Sequence, residues 1–512
     1  MLYFNLPQSV PLSPANDIRY YTMPSTNTQP MYSFTLANYL NQTKERIDKC
    51  HNEWDTYKKY TNPYEYINTH LPSKSRPISK YKPLSRSYFK MVEIIDTFHL
   101  EFGKHAINTF HLAEGPGGFI QAIVNARRIE YAVNQQYDNE PSSSSSSSCC
   151  YGDDPPPLML DASHDRYTGM TILRDAGDAN IPGWKSSAEF LAGNPNVSIE
   201  TGSDGTGNIL SLDNFHFCVE KYGQHSMDFI TADGGFDFSM DFNRQENSIA
   251  ELLFAQIGYA LCLQKVGGHF VLKIFDAFMP HTVDLLYILT AHYAEVFMTK
   301  PHTSRYANSE KYIVCKHFLG SSDDIYATLS RVFTDVLKTP INSDTYTAEN
   351  KTDNNNDATS YFLLPETETE PEPVSKTIAL HRRFLTFQLP IAFIARVEEL
   401  NAIFGKQQID NIVFTFSLIE SKHKADKIDN LVKTNIQKCI QWCMKHNVPF
   451  YNAGGPIITN NHNQSFSKHA PRGGGGGGGT AYYSTSPPHE RGGDNRFCDS
   501  STASKHRNIF IK

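Results

Sequence analysis

Apolar residues recur at helical spacing from Ser87 to Phe98, at Tyr88, Met91, Val92, Ile95 and Phe98, which predicts a helix with Lys90 beside its buried stripe. Beyond it the period changes repeatedly. Asn108 to Ala113 reads as a strand, Phe119 to Arg128 as a helix, Gly169 to Leu173 as a strand, and Met227 to Ala232 as another that runs into Asp233, Gly234 and Gly235. A longer helical repeat follows at Ile249, Leu252, Leu253, Gln256, Ile257, Ala260 and Leu261, with Gly267 and Gly268 closing it. His269 to Phe275 is the next strand, Val283 to His292 a helix, and Glu295 to Met298 and Lys311 to Phe318 two short strands. Strands and helices in alternation predict an α/β domain whose mostly parallel sheet carries helices on both faces.

The flanks read differently. Residues 1–80 are polar and tyrosine-rich with scattered prolines, an irregular arm with one helix near Tyr39 to Tyr57. Within the α/β domain, 81–320, residues 131–165 form an insert with seven consecutive serines and Pro155, Pro156 and Pro157, which predicts a disordered surface loop. Residues 321–376 read as a helix and an acidic linker; Asp344 to Glu372 holds eight acidic residues against the single Lys351. Helical periodicity returns at 377–455, at Ile409, Ile412, Val413 and Phe416 and again at Ile428, Leu431, Val432 and Ile436, as a small C-terminal module. The tail, 456–512, with seven glycines after Arg472, has too little apolar surface to fold.

At 512 residues and 39% hydrophobic content the chain can bury a sizeable core. It lacks a run of ~18 apolar residues and a signal-peptide pattern, and none of its nine cysteines forms a CxxC pair, so an intracellular protein with reduced thiols is expected, in the cytoplasm rather than the nucleus. Cys439 and Cys443 share a helical face as two small buried side chains. A net charge of -7 argues against nucleic-acid binding over the whole surface. Ser73 to Lys90 is the exception, with Lys74, Arg76, Lys80, Lys82, Arg86 and Lys90, no acidic residue, and Tyr81, Tyr88 and Phe89 interleaved. That composition suits phosphates and stacked bases, and it equally suits a solvated basic linker.

Candidate chemistry gathers at the carboxyl ends of the predicted strands, where doubly wound sheets bind ligands. Glu114 and the glycines Gly115, Gly117 and Gly118 follow the first strand, Asp233 follows the central one, and Lys273 lies at the far end of Phe270 to Leu272. If the last strand runs antiparallel, Glu310 begins it at the same edge, and Lys90 reaches that edge from the side. Two lysines and two carboxylates then converge, as deprotonating or orienting a ribose 2′-hydroxyl requires. Lys273 either accepts the proton or stays charged and steers the oxygen. Each residue taken singly is more readily an ordinary ion-pair partner than catalytic, and their joint placement on one rim reverses that reading.

These residues resemble the FtsJ-like S-adenosylmethionine-dependent 2′-O-ribose methyltransferases, in the branch that modifies mRNA caps. The matching segments are Leu112 to Phe119, Gly202 to Ile209, Asp228 to Phe236, Gly267 to Phe275 and Lys300 to Cys315, within roughly Arg86 to Leu319. The resemblance implies a Rossmann-like seven-stranded sheet with an antiparallel last strand and places the family's catalytic tetrad on Lys90, Asp233, Lys273 and Glu310. It puts the methionine part of S-adenosylmethionine against Glu114, Gly115 and the turn from Gly117 to Phe119, Asp204 near the adenine, and Asp233 near the sulfonium. It requires no metal. The capped mRNA 5′ end is the expected RNA partner, with Lys80, Lys82, Arg86 and Arg305 as RNA-binding residues, and capping or transcription machinery is expected to dock on the C-terminal module. Alternatives are a 2′-O-methyltransferase for ribosomal or transfer RNA and a silent RNA-binding subunit. The serine and glycine runs resemble in style the proteins of large DNA viruses.

Overall fold

The computed structural model describes residues 1–25, 32–72, 74–103, 105–138, 164–173, 183–235, 245–338, 379–421 and 424–451, all within one compact unit, Met1–Gly454. The serine run, the acidic linker and the glycine tail lie outside the described residues. The strands are β1 (Leu2–Leu6), β2 (Ile18–Ser25), β3 (Asn108–Leu112), β4 (Arg166–Met170), β5 (Val197–Glu200), β6 (Met227–Ala232), β7 (Gln264–Ile274), β8 (Tyr293–Lys300), β9 (Lys311–Phe318) and β10 (Ala379–Leu385).

Eight of them form one sheet in the order β1-β8-β9-β7-β6-β3-β4-β5. Pairs from β5 through β4, β3 and β6 to β7 are parallel, and β9 inserts antiparallel between β7 and β8. The sheet is therefore the mostly parallel α/β sheet expected, with one strand more than seven. That extra strand is β1, which pairs antiparallel along β8 from Leu2 opposite Lys300 to Leu6 opposite Val296.

Each face buries its own core. On one, helices Ser87–Phe98 and Gly118–Asp138 pack together around Phe89, Met91, Ile94, Ile120 and Ile123. On the other, helices Leu212–Tyr222, Ala250–Leu263, Pro280–His292 and Ile325–Lys338 bury Phe215, Leu253, Leu285 and Leu329. Among the described residues no helix is long and apolar enough to cross a membrane.

Several expectations need correction. Residues 1–80 are not an irregular arm: they hold β1, β2 paired with β10, and helices Phe34–Asp48 and His51–Thr61. Gly267 and Gly268 do not close the preceding helix, which ends at Leu263; they lie inside β7, where Gly267 takes φ +83° at a register shift against β6. The insert is anchored at both ends. Helix Gly118–Asp138 extends into it, and the buried Asp165 carboxylate accepts from Arg127, Tyr131 and Tyr167.

The C-terminal segment is no separate module. Helix Ile391–Ile419 lies against Phe34–Asp48 and His51–Thr61, burying Ile412 and Phe416 with Trp54. Helix Lys424–Lys445 buries Cys439, Trp442 and Cys443, and the Trp442 ring meets Phe89 edge-on at 5.8 Å.

Candidate active site

Register explains why distant residues meet. Ala232 pairs with Leu272 across β6 and β7, so Asp233 emerges beside Lys273, and Lys273 pairs directly with Tyr312 across β7 and β9. Directly opposed residues project from the same face of a sheet. Asp233, Lys273 and Tyr312 thus form a row across three strands.

Lys273 Nζ donates to the Asp233 carbonyl at 2.6 Å and stands 3.3 Å from its Oδ1. The same Oδ1 accepts from the Tyr312 hydroxyl at 2.9 Å. That hydroxyl lies 3.5 Å from Lys90 Nζ, which is paired with Glu310 at 2.8 Å. Lys90, Asp233, Lys273 and Glu310 are therefore brought together, and Tyr312 links the two ion pairs. Gly235 leaves room for this: a Cβ there would stand 3.2 Å from Lys273 Nζ.

Burial pushes the Glu310 carboxyl up, but Lys90, Lys273 and Lys300 outweigh it and hold the group at about 2. Ser304 Oγ adds a hydrogen bond at 2.8 Å. Behind it Lys300 is buried and donates to the Glu310 carbonyl at 2.6 Å and the Asn308 carbonyl at 2.8 Å. Burial lowers this ammonium to about 7 against the opposing pull of Glu310.

The glycine turn follows β3 as expected, and Gly117 takes φ +95°. Its room is given largely to protein. A Cβ at Gly115 would stand 2.9 Å from the Gly183 carbonyl, one at Gly117 3.1 Å from the Trp184 ring, and one at Gly118 2.2 Å from Ser87 Oγ. Gly118 thus lets the helix that carries Lys90 dock on the turn. Phe119 is core, its ring 5.9 Å from that of Tyr312. Glu114 is buried and accepts a close hydrogen bond from Thr231, while its Oε2 has no hydrogen-bond partner; burial raises this carboxyl well above the usual range. The Trp184 indole N–H is likewise buried and unpartnered. Asp204 is exposed, and its carboxylate accepts from Thr206 in its own turn and from Asn214 on helix Leu212–Tyr222.

The basic segment divides. Lys74, Arg76, Lys80 and Lys82 are exposed, with Arg76 and Lys80 over the Tyr451 ring. Arg86 and Arg305 are instead both paired with the buried Glu65, at 2.9 and 2.6 Å, so neither is a free phosphate ligand. Burial would raise Glu65, yet the two guanidinium groups hold it at about 2. Tyr88 and Phe89 are buried, so these two rings serve packing and not base stacking, while Tyr81 is half-buried and its hydroxyl accepts from Asn125.

Beside Glu310 opens a cavity of about 250 Å³ lined by Trp54, Phe275, Lys44, Lys58, Arg305, Asn308, Ser309 and Gln408, among others. Sequence reasoning missed Tyr312, Lys300, Glu65, Trp54 and Gln408. Only Tyr312 carries a local signal, because two residues along a strand return to the same face as Glu310.

A family model described as FtsJ-like methyltransferase matches residues 159–318. The mouse (Mus musculus) protein named cap-specific mRNA (nucleoside-2′-O-)-methyltransferase 1 is 40% identical over 130 residues, 25% of this chain and 16% of that protein. The protein of the same name from Trypanosoma cruzi is 41% identical over 121 residues, 23% of this chain and 33% of its own. Cap-specific mRNA (nucleoside-2′-O-)-methyltransferase 2 of Danio rerio is 30% identical over 298 residues, 55% of this chain and 34% of that protein. The match thus spans between 16% and 34% of these relatives' own length. Residues 159–318, which hold Asp233, Lys273 and Glu310, are thus similar to the FtsJ-like methyltransferase family, and they lie in the mostly parallel α/β sheet described above.

Proposed function

We propose that this chain transfers a methyl group from S-adenosylmethionine to a ribose 2′-oxygen at the 5′ end of capped RNA. One observation carries the reading: the Lys90–Glu310 and Lys273–Asp233 pairs, joined by Tyr312, stand beside a cavity lined by two aromatic rings, two lysines and an arginine. A purine base matches that lining, with the Trp54 and Phe275 rings for its faces, while Arg305 and Lys44 are engaged by Glu65 and Asp276.

The residues at the rim fit the cofactor. Glu114 Oε2 and the Trp184 indole N–H are buried polar atoms without hydrogen-bond partners near the glycine turn, and an amino acid moiety supplies both a donor and an acceptor. Bound S-adenosylmethionine supplies an electron-poor methyl group. Asp233 provides negative charge at the turn end of the row. Lys273, held by two acceptors of Asp233, acts as a donor that orients the ribose hydroxyl; the geometry favours this steering role over proton acceptance. Lys90 and Glu310 neutralise one another and fix the far side of the row.

The experiment compares methyl transfer to one short RNA with and without a cap. The reading predicts transfer to the capped form and little to the other. Equal rates would sink the cap assignment and favour another RNA substrate; a protein that binds both RNAs and methylates neither would be a silent subunit. As a further expectation, protein partners from capping or transcription machinery meet the surface formed jointly by the N- and C-terminal helices, since the C-terminal helices are packed into the unit.

A further inference from the structure

We propose that Gln408, on helix Ile391–Ile419, is a positioning residue for methyl transfer: its side-chain amide pins the loop from Pro301 to Ser309 so that Glu310 stays on Lys90 and Arg305 stays on the cavity wall. The inference rests on the methyl-transfer reading above.

The loop joins β8 to β9 without regular structure of its own, so its backbone groups need partners from elsewhere. One side is held by the Lys90 helix. Glu93 accepts from the His302 and Thr303 amides at 2.9 and 3.2 Å, and Arg86 donates to the Thr303 carbonyl at 3.4 Å. Glu65 fixes Arg305. On the other side, where the loop turns into Glu310, Lys300 and Lys311 donate to the Asn308, Glu310 and Ser309 carbonyls, and Gln408, 4% exposed, reaches in from outside the sheet, its Nε2 donating to the Ala307 carbonyl at 3.0 Å and to Ser309 Oγ at 3.3 Å. Ser309 immediately precedes Glu310, and Gln408 also lines the cavity.

The helix has a face built for this. Asn401 Nδ2 donates to the Ala277 carbonyl at 2.8 Å, Gln408 to Ala307, and Asn411 Nδ2 to the Thr61 carbonyl at 3.1 Å. Spacings of seven and three put all three amides on one side. Only Gln408 touches the segment that ends in Glu310. This helix lies beyond residues 159–318, so the positioning comes from an element added to the methyltransferase domain.

The test uses the full chain with Gln408→Glu, which keeps the shape but removes the donor, and Asn401→Leu as a control that removes a comparable buried amide from the same helix. Gln408→Met replaces the first variant if the carboxylate unfolds the chain. The expected result for the Gln408 variant is a fall in kcat of about tenfold or more, because a small displacement of a catalytic group is enough. Cofactor affinity should stay within about twofold of wild type. Amide hydrogen exchange over residues 301–311 should rise by about tenfold. In Asn401→Leu, kcat and that exchange should stay near wild type. Exchange over 301–311 that is unchanged, or raised equally in both variants, overturns the proposal, as does a kcat within about twofold of wild type. A wild-type chain without methyl transfer contradicts the enzymatic reading instead, and the exchange measurement still decides whether Gln408 holds the loop.

Discussion

Tyr312 is where the two ion pairs of the site become one unit. Its hydroxyl donates to Asp233 and stands within reach of Lys90, and burial together with the Asp233 and Glu310 carboxylates raises its own titration far out of the working range, so it acts as a fixed donor. Tyr312→Phe deletes that bond without a change of shape. The expected cost is about 1 kcal/mol of stability, with a roughly tenfold lower turnover as Asp233 and Lys90 lose their common reference; steady-state kinetics and urea melts measure both, and wild-type turnover in the variant contradicts the linkage. Glu310 gives a pH signature. Its folded value of about 2 lies below the ordinary 4.5, so it contributes stability above pH 4.5 that disappears as pH falls toward 2. Urea melts between pH 6 and 3 should therefore show a shallower acid decline in Glu310→Gln than in wild type, and identical slopes would show that Glu310 is not held by its lysines. The convergence of Lys90, Asp233, Lys273 and Glu310 was legible because strand ends and an antiparallel last strand fix one edge. The Glu65 clamp on Arg86 and Arg305 was not, since a carboxylate in a polar, tyrosine-rich segment carries no mark of the two arginines, one of them 240 positions away, that it pairs with.

At the scale of elements, periodicity identified the helix Ser87–Phe98 to the residue and most of the alternating strands, because each buries a face of its own. It failed for β1, a five-residue strand whose partner β8 is nearly the whole domain away, and for β2 and β10, which stabilise one another across a similar gap. Such pairings leave no local period. β1 is more than decoration: it covers the outer edge of β8, with Phe4 edge-on to Phe404 at 5.8 Å and Tyr3 edge-on to Phe98 at 5.1 Å. Removing Met1–Leu6 should expose the β8 ladder and promote edge-to-edge association, seen as a mass that rises with concentration in light scattering. A strictly monomeric truncated chain would show that β1 does not protect that edge.

Across the molecule, the site depends on residues from both ends of the chain. Asp233, Lys273 and Glu310 lie within the residues that match the FtsJ-like methyltransferase family, and Lys90 lies on helix Ser87–Phe98, which precedes them along the chain. Lys44, Trp54 and Lys58 from the N-terminal helices and Gln408 from the C-terminal helix complete the cavity beside it. In a chain of net charge -7, Lys74, Arg76, Lys80 and Lys82 form an exposed basic stretch. The central claim is that Lys273, set by Asp233, governs methyl transfer. Mass spectrometry of a capped RNA after incubation with S-adenosylmethionine and either the wild-type chain or Lys273→Ala tests it most directly. The account predicts a methylated ribose with wild type and a rate lower by about 10²-fold with the variant, whose cofactor binding and melting stay close to wild type. Undiminished methylation by Lys273→Ala would contradict it.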